Sequence, residues 1–300
     1  GAAAKFVRPR GVAVSPDGTW VAVADSWLIR KVTVASGAVT TLSGTHRGSN
    51  DGPASEARFN TPHGLAFHPS GSHIYVADSG NHVIRRVDAA TGEASTVAGV
   101  SGTEGLRDGA GAAALFKDPR GVSVSPDGGW LAVADTGNNA VRRIVISSGE
   151  VSLVAGGKPF SDYVDDAGTM ARFSAPEDVS VSPGGGLVLV ADSANHRVRL
   201  LEWRTGVVST LAGNGTTAPT DGPQGNTSGF STPLGVAFGP GGGWAAVSDS
   251  GNHLIRNISA SWPPEPTPVS DPYTGYSTVL NLTASSGCPP RVLGGGGGGG

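Results

Sequence analysis

Apolar and polar residues alternate in short runs along this chain, and the runs recur. `PRGVAVSPDGTWVAVADS` begins at Pro9, `PHGLAFHPSGSHIYVADS` at Pro62, `PRGVSVSPDGGWLAVADT` at Pro119, `PEDVSVSPGGGLVLVADS` at Pro176 and `PLGVAFGPGGGWAAVSDS` at Pro233. Their starts are 53, 57, 57 and 57 residues apart. Phe6, Phe59, Phe116, Phe173 and Phe230 each stand three residues before the proline, so the register persists through the connecting loops. Each unit reads as four short strands. The first is `GVAV`-like and the second `WVAVAD` or `HIYVAD`, joined by a turn such as `SPDG`, whose Pro, Asp and Gly suit a tight hairpin. The third, `VIRRV` or `AVRRI`, follows `SGNH`, and the fourth, `ASTVAG` or `VSLVAG`, follows a Gly turn. Four antiparallel strands repeated radially make a β-propeller blade, whose faces are buried only by its neighbours.

Composition agrees with this all-β reading. Of 300 residues, 48 are Gly and 21 Pro, which favours many turns over long helices. The formal net charge of −3 gives no global attraction to nucleic acid or an anionic membrane. Cys288 is the single cysteine, so no intrachain disulfide forms. No apolar run is long enough to span a membrane as a helix.

`YVADSGNHVIRRV` (75–87), `AVADTGNNAVRRI` (132–144), `LVADSANHRVRLL` (189–201) and `AVSDSGNHLIRNI` (246–258) resemble the NHL repeat, whose Asn-His-Leu triplet stands at 252–254. The resemblance covers about residues 6–282. It implies a propeller over residues 1–283 with five blades starting near 9, 62, 119, 176 and 233, followed by a Gly-rich tail at 284–300. Members of the family commonly have six blades, so a further blade is expected upstream, with closure by five blades as the alternative. The chain is expected to be a segment of a longer protein with companion domains. Within blade 5, `TGYSTVL` (274–280) is the expected last strand, after a Pro-rich insertion at 262–272.

The polar groups that most resemble a catalytic site are the ones that repeat. Asp25, Asp78, Asp135, Asp192 and Asp249 recur, as do Asn81, Asn138, Asn195 and Asn252. His82, His196 and His253 share a position with Asn139, and Arg85, Arg142, Arg199 and Arg256 lie seven residues after their aspartates. Groups spread around a ring cannot converge on one substrate atom. They are expected to be scaffold, with Asp and Asn accepting turn N–H groups and Arg pairing with a carboxylate. Blade 1 is the exception: its loop, `ADSWLIR`, is two residues shorter and lacks both Asn and His. The loop carboxylates at Asp51, Asp108, Asp165-Asp166 and Asp221 match no calcium-loop pattern and read as turns.

Function is expected where the blades differ. The residue after each opening proline is Arg10, His63, Arg120, Glu177 or Leu234, and these should ring the channel mouth. Asp178 replaces the Gly found at the next position in the other units. The leading reading is a non-enzymatic module that binds a protein or small ligand at Arg10, His63, Arg120, Glu177 and Asp178, without a cofactor. A competing reading is a propeller hydrolase or lyase holding calcium or zinc in its channel through His63, Glu177 and Asp178. RNA binding through a basic face is the third, and the mixed-charge rim argues against it. N-x-[ST] sequons at Asn214, Asn226, Asn257 and Asn281 favour a secreted or cell-surface glycoprotein over an organelle lumen or the cytosol.

Overall fold

The computed structural model describes residues 4–159, 162–222, 225–259 and 262. They form an arc of five antiparallel sheets, the blades of a β-propeller. Blade 1 comprises Pro9–Val14, Trp20–Asp25, Leu28–Thr33 and Val39–Ser43, paired in chain order. Blade 2 comprises Pro62–Phe67, His73–Asp78, Val83–Asp88 and Ala94–Ala98. Blade 3 comprises Pro119–Val124, Trp130–Asp135, Ala140–Val145 and Glu150–Gly156. Blade 4 comprises Pro176–Val181, Leu187–Asp192, Arg197–Glu202 and Val208–Ala212. Pro233–Phe238, Ala245–Asp249 and Leu254–Ile258 make the three described strands of blade 5. The expected strand at 274–280 and the tail at 284–300 lie outside the described residues. The helices among the described residues are single 3-10 turns, and none is long and apolar enough to cross a membrane.

The core lies between blades. One cluster joins blades 1 and 2 (Trp20, Ala22, Ile29 against Leu65, Ile74, Val76), and others fill the next three interfaces. Pleating explains this, because alternate side chains of each strand face opposite neighbours and both faces must be apolar. Trp130 of blade 3 stacks on Trp203 of blade 4 at 3.9 Å between ring centroids.

The long loops before blades 2, 3 and 4 each run to the outer edge of the blade they precede. Gly109–Ala110 pairs with the outermost strand of blade 3, and Gly52 and Ala167 bridge to Ala94 and Val207 in the same way. These contacts cover N–H and C=O groups that would otherwise form an open sheet edge.

The two ends of the arc differ from its middle. Val12 is 65% exposed, whereas Leu65, Val122, Val179 and Val236 at the same position are at most 7% exposed. At the other end Ile255 is 79% exposed, and its counterparts Ile29, Ile84, Val141 and Val198 are buried completely among their neighbours. Among the described residues, nothing covers these two faces.

Candidate functional site

The turn between the second and third strands shows what the repeated polar residues do. In blade 2, Asp78 does not cap the turn through its side chain. Its Oδ1 accepts the Asn60 N–H (2.7 Å), and its Oδ2 accepts from Asn81 Nδ2 (2.7 Å) and Arg85 Nη1 (3.1 Å). Asn81 also donates to the Gly48 carbonyl (2.7 Å). The aspartate and asparagine therefore serve the long incoming loop, not the turn N–H groups expected of them. The turn needs no such help, since Ser79–Asn81 closes as a 3-10 turn through the His82 N–H and Ser79 carbonyl.

Arg85 completes the arrangement. Its guanidinium is fully buried and lies 4.9 Å from the Phe59 ring. It donates to the Arg58 and Asn50 carbonyls (2.9 and 2.8 Å) and faces Asp51 at 2.7 Å. Arg142 repeats these contacts with Asp135, Asp108 and Phe116, and Arg199 with Asp192, Asp165 and Phe173. Arg256 holds Asp249 and Asp221. The loop carboxylates are thus occupied by guanidinium groups, and Asp51 and Asp165 also accept from the N–H and hydroxyl of Thr96 and Thr210. Loss of solvation raises the carboxyls of Asp78 and Asp135 to about 6 despite these donors.

The same turn also binds the next blade. Ser79 and Thr136 donate to the carbonyls of Pro119 and Pro176. His82 Nδ1, Asn139 Oδ1 and His196 Nδ1 accept the N–H groups of Asp118, Ala175 and Thr232 (3.1, 2.9 and 3.1 Å). Position 82 and its equivalents are left-handed (φ 60, 52, 56 and 58°), a conformation His and Asn tolerate well. That double demand, an acceptor on a left-handed residue, explains why histidine and asparagine interchange there.

These turns and the long loops define the top face, and the residues opening each first strand lie on it. Arg10 donates through Nη1 to His63 Nε2. Arginine only donates, so this nitrogen carries no proton and His63 is neutral. Burial, then the nearby charges of Arg10 and Arg120, hold its imidazole down at about 4. Arg120 pairs with Asp118 (2.7 Å) and with Glu177 of the next blade. The chain thus brings Arg10 to His63 and Arg120 to Glu177, while Leu234 stands 42% exposed at the same position in blade 5.

Asp178 behaves differently. Its Oδ2 accepts the Val236 N–H of blade 5 at 3.1 Å, tying two innermost strands together. Burial pushes its carboxyl up to about 7, and the Val236 and Val179 N–H groups pull the other way. In blade 3 a Cβ on Gly121, at the corresponding position, would lie 2.6 Å from the Asp178 backbone. Blade 4 admits the side chain because its first strand pairs from Asp178, whereas pairing in blades 1–3 resumes one residue later. Among the described residues, no three of His, Cys, Asp and Glu lie close enough together to hold a metal ion.

Of the sequons, Asn214 is exposed, and its Oδ1 accepts from the N–H (2.8 Å) and hydroxyl (2.7 Å) of Thr216. Asn257 is exposed on the third strand of blade 5. The side chain of Asn226 and all of Asn281 lie outside the described residues.

The sequence reading missed the inter-blade role of His82, Asn139 and His196, although their chemistry and their place after a turn carried the signal. It also missed the surroundings of Arg10. The signal there was the shortened blade 1 loop.

Comparison with known proteins places this geometry in a family. The model of the Teneurin NHL domain matches residues 1–202. NHL repeat-containing protein 2 of Bos taurus is 28% identical over 281 residues, covering 84% of this chain and 39% of the relative. Protein SUPPRESSOR OF QUENCHING 1, chloroplastic, of Arabidopsis thaliana is 28% identical over 269 residues, covering 85% of this chain and 25% of the relative. Teneurin-3 of Danio rerio is 30% identical over 227 residues, 66% of this chain and 8% of that protein. The chain therefore spans well under half the length of these relatives. Among solved structures, an auxiliary nutrient binding protein from Bacteroides thetaiotaomicron superposes with a TM-score of 0.59 at 18% identity, covering 85% of this chain and 69% of that one. A chain of a nidogen/laminin complex gives 0.60 at 14% identity, covering 84% and 75%. By its repeats, its blades and the model it matches over two thirds of its length, the chain belongs to the Teneurin NHL domain family of β-propellers.

Proposed function

We propose that this NHL propeller is a non-enzymatic module that binds a protein partner with its top face, at the mouth of the channel. One observation carries the reading. The turns and loops of that face repeat the same internally bonded Asp, Asn and Arg groups, while the residues that open the innermost strands (Arg10, His63, Arg120, Glu177, Leu234) change chemistry from blade to blade. A constant scaffold carrying a variable rim is how specificity is grafted onto a fold. The side chains needed for the channel-metal alternative are otherwise engaged: His63 with Arg10, Glu177 with Arg120 and Asp178 with Val236. A cell-surface or secreted setting accompanies the proposal, supported by the exposed Asn214 sequon.

A benzophenone side chain installed at Leu234 should crosslink the partner, whereas one at Ser70, on the first hairpin of blade 2 at the opposite end, should not. Affinity for the purified partner should then fall at least about tenfold in the Arg10→Ala/Arg120→Ala/Glu177→Ala variant. Unchanged affinity removes the proposal. In native material, mass spectrometry should find a glycan on Asn214.

A further inference from the structure

We propose that the cleft between blades 1 and 2 on the top face binds an acidic segment of the protein partner, with Arg8, Arg10 and Arg47 receiving its carboxylates and Trp27 packing beside them. This rests on the protein-binding reading above and names the chemistry of the partner.

The cleft comes from the shortened loop of blade 1. In blades 2–4, a 3-10 turn and the side chain after it (His82, Asn139 or His196) fill the space above the next blade and bond to it. Blade 1 runs from Asp25 through Ser26 (φ 63°) and Trp27 directly into its third strand. Trp27 takes the place of His82 immediately before the third strand, but its indole offers no acceptor to the next blade, and a cleft of about 220 Å³ remains, lined by Arg8, Arg10, Trp27, Arg47, Asn60 and Thr61. Trp27 is 41% exposed there.

The charge of the cleft is uncompensated. Arg47 Nε donates to the neutral amide of Asn60 (2.9 Å) and Arg10 to the neutral imidazole of His63. The Arg8 guanidinium has no bonding partner among the described residues. By contrast, Arg85, Arg120, Arg142, Arg199 and Arg256 each face two carboxylates. The acid beside the cleft, Asp25, is buried, and its carboxylate accepts from the Val7 and Arg8 N–H groups and faces Arg30. The rim therefore pairs internally at blades 3 and 4 and leaves positive charge at blades 1 and 2.

Three exposed guanidinium groups around an indole suit carboxylates joined to apolar side chains, because the planar fork matches a carboxylate and the ring gives apolar contact. The volume favours a peptide. Small-molecule pockets usually run to about 300–1,000 Å³, and this cleft holds one or two side chains.

The test is fluorescence anisotropy of the full chain with a fluorescein-labelled hexaglutamate peptide at low salt, with labelled hexalysine as the comparison. Saturable binding of hexaglutamate and none of hexalysine is expected. Arg8→Glu/Arg47→Glu should weaken it at least about tenfold and Trp27→Ala about threefold, with thermal melting unchanged. Arg172→Glu makes the same kind of charge change on the loop before blade 4 and should leave binding intact. Equal loss with Arg172→Glu, or no loss with Arg8→Glu/Arg47→Glu, overturns the site. Full displacement by about 5 mM inorganic phosphate overturns the acidic-segment assignment in favour of a small anion. If hexaglutamate fails to bind while the rim variant still loses the partner, the acidic-segment proposal falls alone and the protein-binding reading stands.

Discussion

His82, Asn139 and His196 occupy one position in three blades and do one job, accepting an N–H from the next blade on a left-handed residue. His82→Asn should therefore change stability by less than about 0.5 kcal/mol, because Asn meets both demands. His82→Val should cost about 2 kcal/mol, since it loses the acceptor and a β-branched residue resists positive φ. Chemical denaturation of the two variants checks the contrast. Asp178 allows a pH prediction. Its carboxyl sits at about 7 in the folded chain, above the ordinary 3.8, so the folded state holds the proton more tightly. The group's contribution to stability is full below about pH 4 and is lost as pH rises through 7. Asp178→Asn keeps an acceptor for the Val236 N–H and removes the titration. It should stabilise the protein by about 4 kcal/mol at pH 8 and by almost nothing near pH 4, read from paired denaturation curves.

At the scale of the element, the long loops before blades 2, 3 and 4 are each held to their blade by one buried arginine, and the loop before blade 5 by the partly buried Arg256. Arg142 ties the loop at 101–118 through the Leu115 and Arg107 carbonyls and Asp108, with Phe116 beneath it. Lysine has one ammonium where arginine has a fork, and it cannot reach all of these acceptors. Arg142→Lys should destabilise by about 3 kcal/mol because buried acceptors lose their donors. It should also speed amide hydrogen exchange at Gly109–Ala110, where the loop pairs with the sheet edge. A loss of stability without faster exchange would place the arginine's role in the core and not in the loop. The sequence showed the strands and turns of each blade through apolar periodicity and Gly placement. It also showed Arg142 seven residues after Asp135, but not that this arginine spans from Asp135 to Asp108, a contact made across 34 residues.

The whole molecule is a series of similar interfaces, in which each blade covers the apolar face of the one before. Where the series stops among the described residues, Val12, Val14 and Ile255 stay exposed. In the present chain, Val12→Ser/Val14→Ser/Ile255→Ser should lower the fluorescence of bound anilinonaphthalene sulfonate and leave thermal melting within about 2 °C, because residues already in water contribute little to folding. A large drop in melting temperature would mean that residues beyond those described pack on these faces. The sequence by itself determined the blade, its strand order, its repeat and the positions that vary, because these follow from local alternation, turn chemistry and spacing. Only the tertiary structure decided which polar groups are spent. It neutralised Arg120 with Asp118 and Glu177, turned Asp178 onto Val236, and left Arg8, Arg10 and Arg47 without an anion around Trp27. The physical reason is that charge compensation depends on which side chains meet across blades about 57 residues apart, and on the space left by a turn two residues shorter than its neighbours.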